Sequence, residues 1–109
     1  MKEKNKEEVR RFTEMVAQKQ GWVLSQDTAL YEDLVTGLMV NWNRYGYFLC
    51  PCRDSEGSRE KDQPIICPCI YARPDIQEYG HCFCSLYWSE DFARSGKSPQ
   101  GIPDRHVEG

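Results

Sequence analysis

No apolar run in this sequence is long enough to cross a bilayer, and the stretch from Met1 to Arg11, rich in Lys, Glu and Arg, lacks the hydrophobic core of a secretory signal. A cytoplasmic protein with no membrane attachment is the resulting expectation. A basic excess is missing too: 14 Lys and Arg stand against 17 Asp and Glu, a formal charge of -3. Nucleic-acid binders usually carry a strongly basic face, so that class is set aside. There is no internal repeat of helical units, and none of the cysteine pairs has the two-residue spacing of common zinc knuckles. Residues 53–63 contain no apolar side chain at all, which predicts a surface loop.

What remains is a chain of 109 residues, enough for one domain with a small core. Val9, Phe12, Met15 and Val16 recur at helical spacing, with Asn5 and Glu8 as a capping box and Gly21 as the stop, so a helix is predicted over 6–20. After an apolar link at Trp22–Leu24, any of Ser25, Asp27 and Thr28 can cap a second helix, predicted over 28–43. Gly37 inside it costs about 1 kcal/mol against Ala, and marks either a close packing contact or a tolerated glycine. Trp42, Tyr45, Tyr47 and Phe48 follow as core aromatics. Pro64, Ile65 and Ile66 return the chain to the interior. A short helix is predicted over 74–79, between Pro74 and Gly80, and a last one from Ser89 to about Arg94. The fold class is therefore mostly α, a small multihelical single domain over 1–109. Residues 1–5 and 97–109 are expected to be flexible tails.

All six cysteines fall in three C-x-C pairs: Cys50-Pro51-Cys52, Cys67-Pro68-Cys69 and Cys82-Phe83-Cys84. Gaps of 14 and 12 residues separate them, in unlike surroundings, so they read as one site and not as an array. In a reducing compartment structural disulfides are rare, which favours ligands or redox thiols. One intervening residue, proline in the first two pairs, can splay the sulfurs toward one large cluster or toward two adjacent tasks. A four-iron cluster takes four thiolates and would leave two cysteines for a disulfide beside it. Such a neighbour has a purpose, because disulfide reduction takes two electrons while ferredoxin-type carriers deliver one at a time. A non-catalytic iron-sulfur electron-transfer module and a zinc-binding interaction module stay open on spacing alone.

The segments Cys50-Pro51-Cys52-Arg53, Ile66-Cys67-Pro68-Cys69 and Cys82-Phe83-Cys84-Ser85-Leu86-Tyr87-Trp88, with two helices and the Tyr45-Gly46 turn upstream, resemble the catalytic (beta) subunit of ferredoxin:thioredoxin reductase. The resemblance spans residues 6–94. It implies cysteine-bearing loops folded around one 4Fe-4S cluster, with Cys50, Cys67, Cys69 and Cys82 as ligands and Cys52 and Cys84 as the redox-active disulfide. It further implies Cys52 as the exposed nucleophile, and Cys84 as the resolving thiol held against the cluster. A ferredoxin-type donor, a thioredoxin-like protein or other disulfide as target, and a small partner subunit are the implied partners. Two departures stand out. Where plant-type members carry histidine inside the third pair, this chain has Phe83, and the nearest imidazole is His81, which becomes the candidate for the proton role; a loop histidine bonded to backbone is the competing reading. The first gap between motifs is shorter than in plant-type proteins and the second longer, which fits a bacterial or archaeal relative.

Overall fold

The computed structural model describes residues 3–108. Helix α1 spans Lys6–Gln20 as the periodicity predicts. The capping box forms: Glu8 N–H donates to Asn5 Oδ1 at 2.9 Å, and Asn5 N–H donates to Glu8 Oε1 at 3.1 Å. These bonds satisfy donors that a helix start otherwise leaves open. Gly21, at φ 77°, ends the helix in the left-handed region that glycine enters without a Cβ penalty. Helix α2 spans Thr28–Tyr45, capped by Asp27 and closed by Gly46. It runs two residues past the predicted end, because the stop signal is Gly46 and not the polar residues before it.

The apolar faces of α1 and α2 meet around Val9, Val16, Leu34, Val35 and Leu38. Phe12 stacks on Phe48 at 4.3 Å between ring centroids, and Thr13 Oγ1 lies 2.7 Å from Tyr31 OH. Strand β1, Val23–Leu24, pairs antiparallel with β2, Tyr87–Trp88, in the register Val23 to Trp88 and Leu24 to Tyr87. This two-stranded sheet fastens the segment after the third cysteine pair to the link between the long helices. An isolated bridge between Leu49 and Ile66 does the same for the first two pairs. Cys50 N–H donates to Ile65 O at 2.9 Å and Cys67 N–H to Phe48 O at 2.7 Å.

The shorter helices frame the cysteines. Helix α4, Ala72–Tyr79, starts two residues before Pro74, which lacks a donor that the first turn does not need. Gly80 closes it at φ 90°, and a Cβ there would meet the Phe92 ring at 2.5 Å. Helix α5, Glu90–Ser95, starts at Ser89 as expected, with Phe92 N–H donating to Ser89 Oγ.

One sequence expectation needs correction. Residues 53–63 are not merely a surface loop: they contain helix α3, Arg59–Asp62, and Asp62 is 0 % exposed. Its carboxylate accepts from Tyr47 OH at 2.6 Å, Ser55 Oγ at 2.7 Å and Glu56 N–H at 2.7 Å. A buried charge survives where donors surround it, and hydropathy does not register such donors. Of the two expected tails, residues 1, 2 and 109 lie outside the described residues; Lys4 N–H donates to Asn43 Oδ1 and its ammonium lies over Trp42. The C-terminal segment, poor in apolar groups, is held by charge instead. It ends in helix α6, Arg105–Glu108; Asp104 pairs with Arg53, Arg105 with Asp75 and Glu78, and His106 with Glu56.

Burial works against the Asp62 carboxylate, but the Glu56 amide and the Tyr47 and Ser55 hydroxyls outweigh it and hold its pKa below the ordinary aspartate value. Its contribution to stability is therefore full above about pH 4 and is lost as pH falls through the lowered folded value. Asp62→Ala, which leaves three donors without an acceptor, is expected to cost about 3 kcal/mol at neutral pH. The gap from wild type should shrink below about pH 4. Anaerobic urea melts of both proteins across that range check it; a gap that is negligible at neutral pH, or constant into acid, contradicts the assignment.

Candidate functional site

The three cysteine pairs arrive at one place by different routes. The first follows α2 through the Gly46 turn, and the position of its loop is set by helix contact. A Cβ on Gly37 would lie 2.9 Å from Pro51 Cβ, so the glycine is a close packing contact and not a tolerated one. The second pair sits between the 3-10 turn Gln63–Ile65 and α4, with a cis bond between Cys67 and Pro68. The third occupies a tight turn before β2, in which Ser85 N–H donates to Cys82 O and Ser85 takes φ 65°. That left-handed conformation is uncommon for a residue with a side chain. Trp88 Nε1–H, donating to Ser85 O at 2.8 Å, helps to hold it.

Cys50, Cys67, Cys69, Cys82 and Cys84 line one tight pocket, with Arg53, Pro68, Phe83 and Tyr87 in its wall. Cys50, Cys67 and Cys82 are buried, Cys69 and Cys84 are half-buried, and Cys52 is exposed. All six are free thiols, with Cys52 and Cys84, the pair the resemblance implies, beside each other. Cys84 faces Cys50, Cys52 and Cys82 together. Hydrogen bonds with these three push its own thiol pKa well up and draw its neighbours down, Cys50 to about 7. Cys52 and Cys82 are lowered in the same direction, again first through Cys84. Burial does the opposite to Cys67 and Cys69, whose thiols are raised. Among the described residues no three His, Cys, Asp or Glu side chains are arranged to hold a single metal ion. The sulfurs surround a space and do not converge on one point.

A four-iron cluster fits that donor set. Four of the cavity-lining sulfurs are the ligands expected from the sequence, and a buried cation faces them. Arg53 Nη1 lies 3.6 Å from Cys50 Sγ and 3.5 Å from Cys69 Sγ. Its Nη2 is within ion-pair distance of Asp104, yet at an angle that leaves its N–H groups buried without a hydrogen-bond acceptor. An orphaned donor of this kind costs about 1–3 kcal/mol.

His81 is brought near the third pair but turned away from the sulfurs. Its ring is buried, with Nδ1 2.8 Å from Cys82 O and 3.2 Å from Ser85 Oγ, while Gln100 N–H donates to Nε2 at 3.2 Å. An Nε2 that accepts fixes the neutral tautomer with the proton on Nδ1, which then donates to the Cys82 carbonyl. This is the competing reading of a loop histidine, and the ring braces the turn. The sequence reading gave no role to Arg53 beyond its charge and missed Asp104 altogether. The available signals were an arginine directly after a cysteine pair and the run Asp104-Arg105-His106 in an otherwise featureless tail.

The chain is similar to known proteins over most of its length. A family model described as ferredoxin thioredoxin reductase catalytic beta chain matches residues 1–108. The catalytic chain of ferredoxin-thioredoxin reductase from Porphyra purpurea is 30% identical over 89 residues, covering 80% of this chain and 72% of that one. The Pyropia yezoensis protein of the same name is equally similar, with 73% of its length covered. The Arabidopsis thaliana chloroplastic catalytic chain is 31% identical over 97 residues, covering 87% of this chain and 64% of the relative. With a match that takes in every cysteine pair and both long helices, this chain belongs to the ferredoxin thioredoxin reductase catalytic beta chain family.

Proposed function

We propose that this chain is an iron-sulfur disulfide reductase. It receives electrons singly from a ferredoxin-type donor, holds a 4Fe-4S cluster on Cys50, Cys67, Cys69 and Cys82, and passes reducing equivalents through Cys52 and Cys84 to a thioredoxin-like or other disulfide target. The observation that carries the reading is the division of the sulfurs: five line one pocket, while the sixth, Cys52, is exposed beside Cys84. The cluster, when bound, would supply storage for one electron beside a two-electron reaction.

The remaining chemistry belongs to the chain's own side chains. Cys52 is the exposed sulfur and its pKa is lowered, first by the hydrogen bond with Cys84, which favours the attacking thiolate. Attack on a target disulfide forms a mixed disulfide through Cys52 and releases one target thiolate. Cys84, less exposed and with a raised pKa, attacks the Cys52 sulfur, closing the Cys52–Cys84 disulfide and releasing the second target thiol. The target thereby gains two electrons and two protons, and the closed pair must be reopened by two electrons from the donor. His81 holds the turn between Cys82 and Ser85 in this scheme, because neither ring nitrogen is free to carry a proton to sulfur. A cytoplasmic setting, reducing enough to keep the six thiols from random pairing, belongs to the same reading. A small partner subunit remains compatible with it.

Anaerobic purification with iron and acid-labile sulfide analysis tests the cofactor, and a Cys84→Ser variant tests the chemistry. The variant should accumulate a disulfide-linked adduct on Cys52 when mixed with an oxidised thioredoxin-like protein. Zinc in place of iron and sulfide, or an adduct on any cysteine other than Cys52, would overturn the proposal.

A further inference from the structure

Arg53 is the most deeply buried cation in contact with the sulfurs, its side chain only 3 % exposed. Arginine is almost never this buried unless paired. Its surroundings are built from four parts of the chain. Nε donates to Asp104 Oδ1 at 3.0 Å, from the C-terminal segment. The guanidinium carbon lies 4.3 Å from the Phe83 centroid and 5.4 Å from that of Tyr71. Nη1 reaches Cys50 and Cys69, one sulfur from each of the first two pairs. Burial works against the charge, but the bond to Asp104 and the neighbouring sulfurs more than offset it, so the group stays protonated.

Nε and Nη2 both lie against the one Asp104 carboxylate, itself 21 % exposed, which leaves Nη1 as the part of the guanidinium turned to the sulfurs. Hydrogen bonds to cluster sulfurs and nearby charge are among the few means a protein has to set a cluster's potential. Phe83 contributes as the ring on which the cation rests: the negative face of an aromatic attracts a guanidinium.

We propose that Arg53 is a positioning residue that sets the redox potential of the sulfur site, donating to the Cys50 and Cys69 thiolates while Asp104 and Phe83 fix its guanidinium. The inference rests on the four-iron reading above. One electron enters the site and no proton leaves Arg53, which keeps its charge in both redox states. The cation therefore attracts the more negative, reduced site more strongly, and its removal makes reduction harder.

The test is a redox titration of the anaerobically purified holoprotein, followed by absorbance and electron paramagnetic resonance. Arg53→Gln should keep its iron and sulfide while its midpoint potential moves to a more negative value. An intact cluster with an unchanged or less negative midpoint overturns the proposal. If Arg53→Gln does not retain a cluster, Asp104→Ala decides, because it leaves the arginine in place and removes only its brace. Release of the guanidinium then predicts a more negative midpoint. A less negative one would mean that Asp104 acts merely as a nearby charge, and no change that it acts not at all; either result overturns the positioning role. Wild-type protein without iron and sulfide would overturn the cluster reading, and this inference with it, whereas a normal cluster with insensitive variants overturns this inference alone.

Discussion

Cys52→Ser is expected to keep the cluster absorption and iron content of the wild type and to lose disulfide reduction by at least about a thousandfold, to background. The size follows from chemistry. A serine hydroxyl forms no thiolate at neutral pH and cannot enter thiol–disulfide exchange, so the first bond to the target is never made. Retention of the cluster follows from geometry, because Cys52 is exposed and is the one cysteine outside the cavity lining. Anaerobic assay with a chemically reduced ferredoxin and an oxidised thioredoxin-like protein, alongside a visible spectrum, reads both quantities. Loss of the spectrum would show that Cys52 is a ligand. Retained turnover would move the nucleophile elsewhere.

The opposite pattern is expected for Cys67→Ser. This sulfur is buried against Tyr87, whose hydroxyl lies 3.9 Å away, and it belongs to the same core as Val9, Leu38 and Leu86. On the proposed ligand set serine removes a ligand, and it places a hydroxyl in an apolar site, which alone costs about 1–3 kcal/mol. Loss of the cluster removes the binding energy that small domains add to a modest core. A total deficit of about 3 kcal/mol or more would lower the melting temperature by at least about 12 °C, a large share of the marginal stability of a domain this size. Iron analysis and a thermal melt under argon measure it. A variant that keeps iron and melts with the wild type would remove Cys67 from the ligand set.

The features legible in the sequence are those fixed within a few residues. Asn5 and Glu8 cap α1, Asp27 caps α2 and Ser89 caps α5, because a cap is a local hydrogen bond between near neighbours. The sulfur set was legible as well, since all six cysteines stand in three ordered pairs. What stayed hidden was polar and long-range. Asp62 reads as part of a charged loop until Tyr47 folds over it, and Asp104 reads as tail until Arg53 is seen, 51 positions away. Neither contact leaves a trace in hydropathy, because a charged residue is interior here only by virtue of donors brought from elsewhere. His81 is the opposite case. Its position beside Cys82 suggests chemistry, but a neighbouring carbonyl and a distant amide occupy the ring.

The seat of Pro51 on Gly37 has a consequence for how labour is shared within the first pair. With the middle residue pressed against α2, the chain cannot roll about that point, and the two flanking sulfurs are committed to different sides: Cys50 indoors, Cys52 facing water. On the proposed division of roles, a storage thiolate and a working thiolate two positions apart are thus kept from exchanging duties by a missing methyl group on a helix.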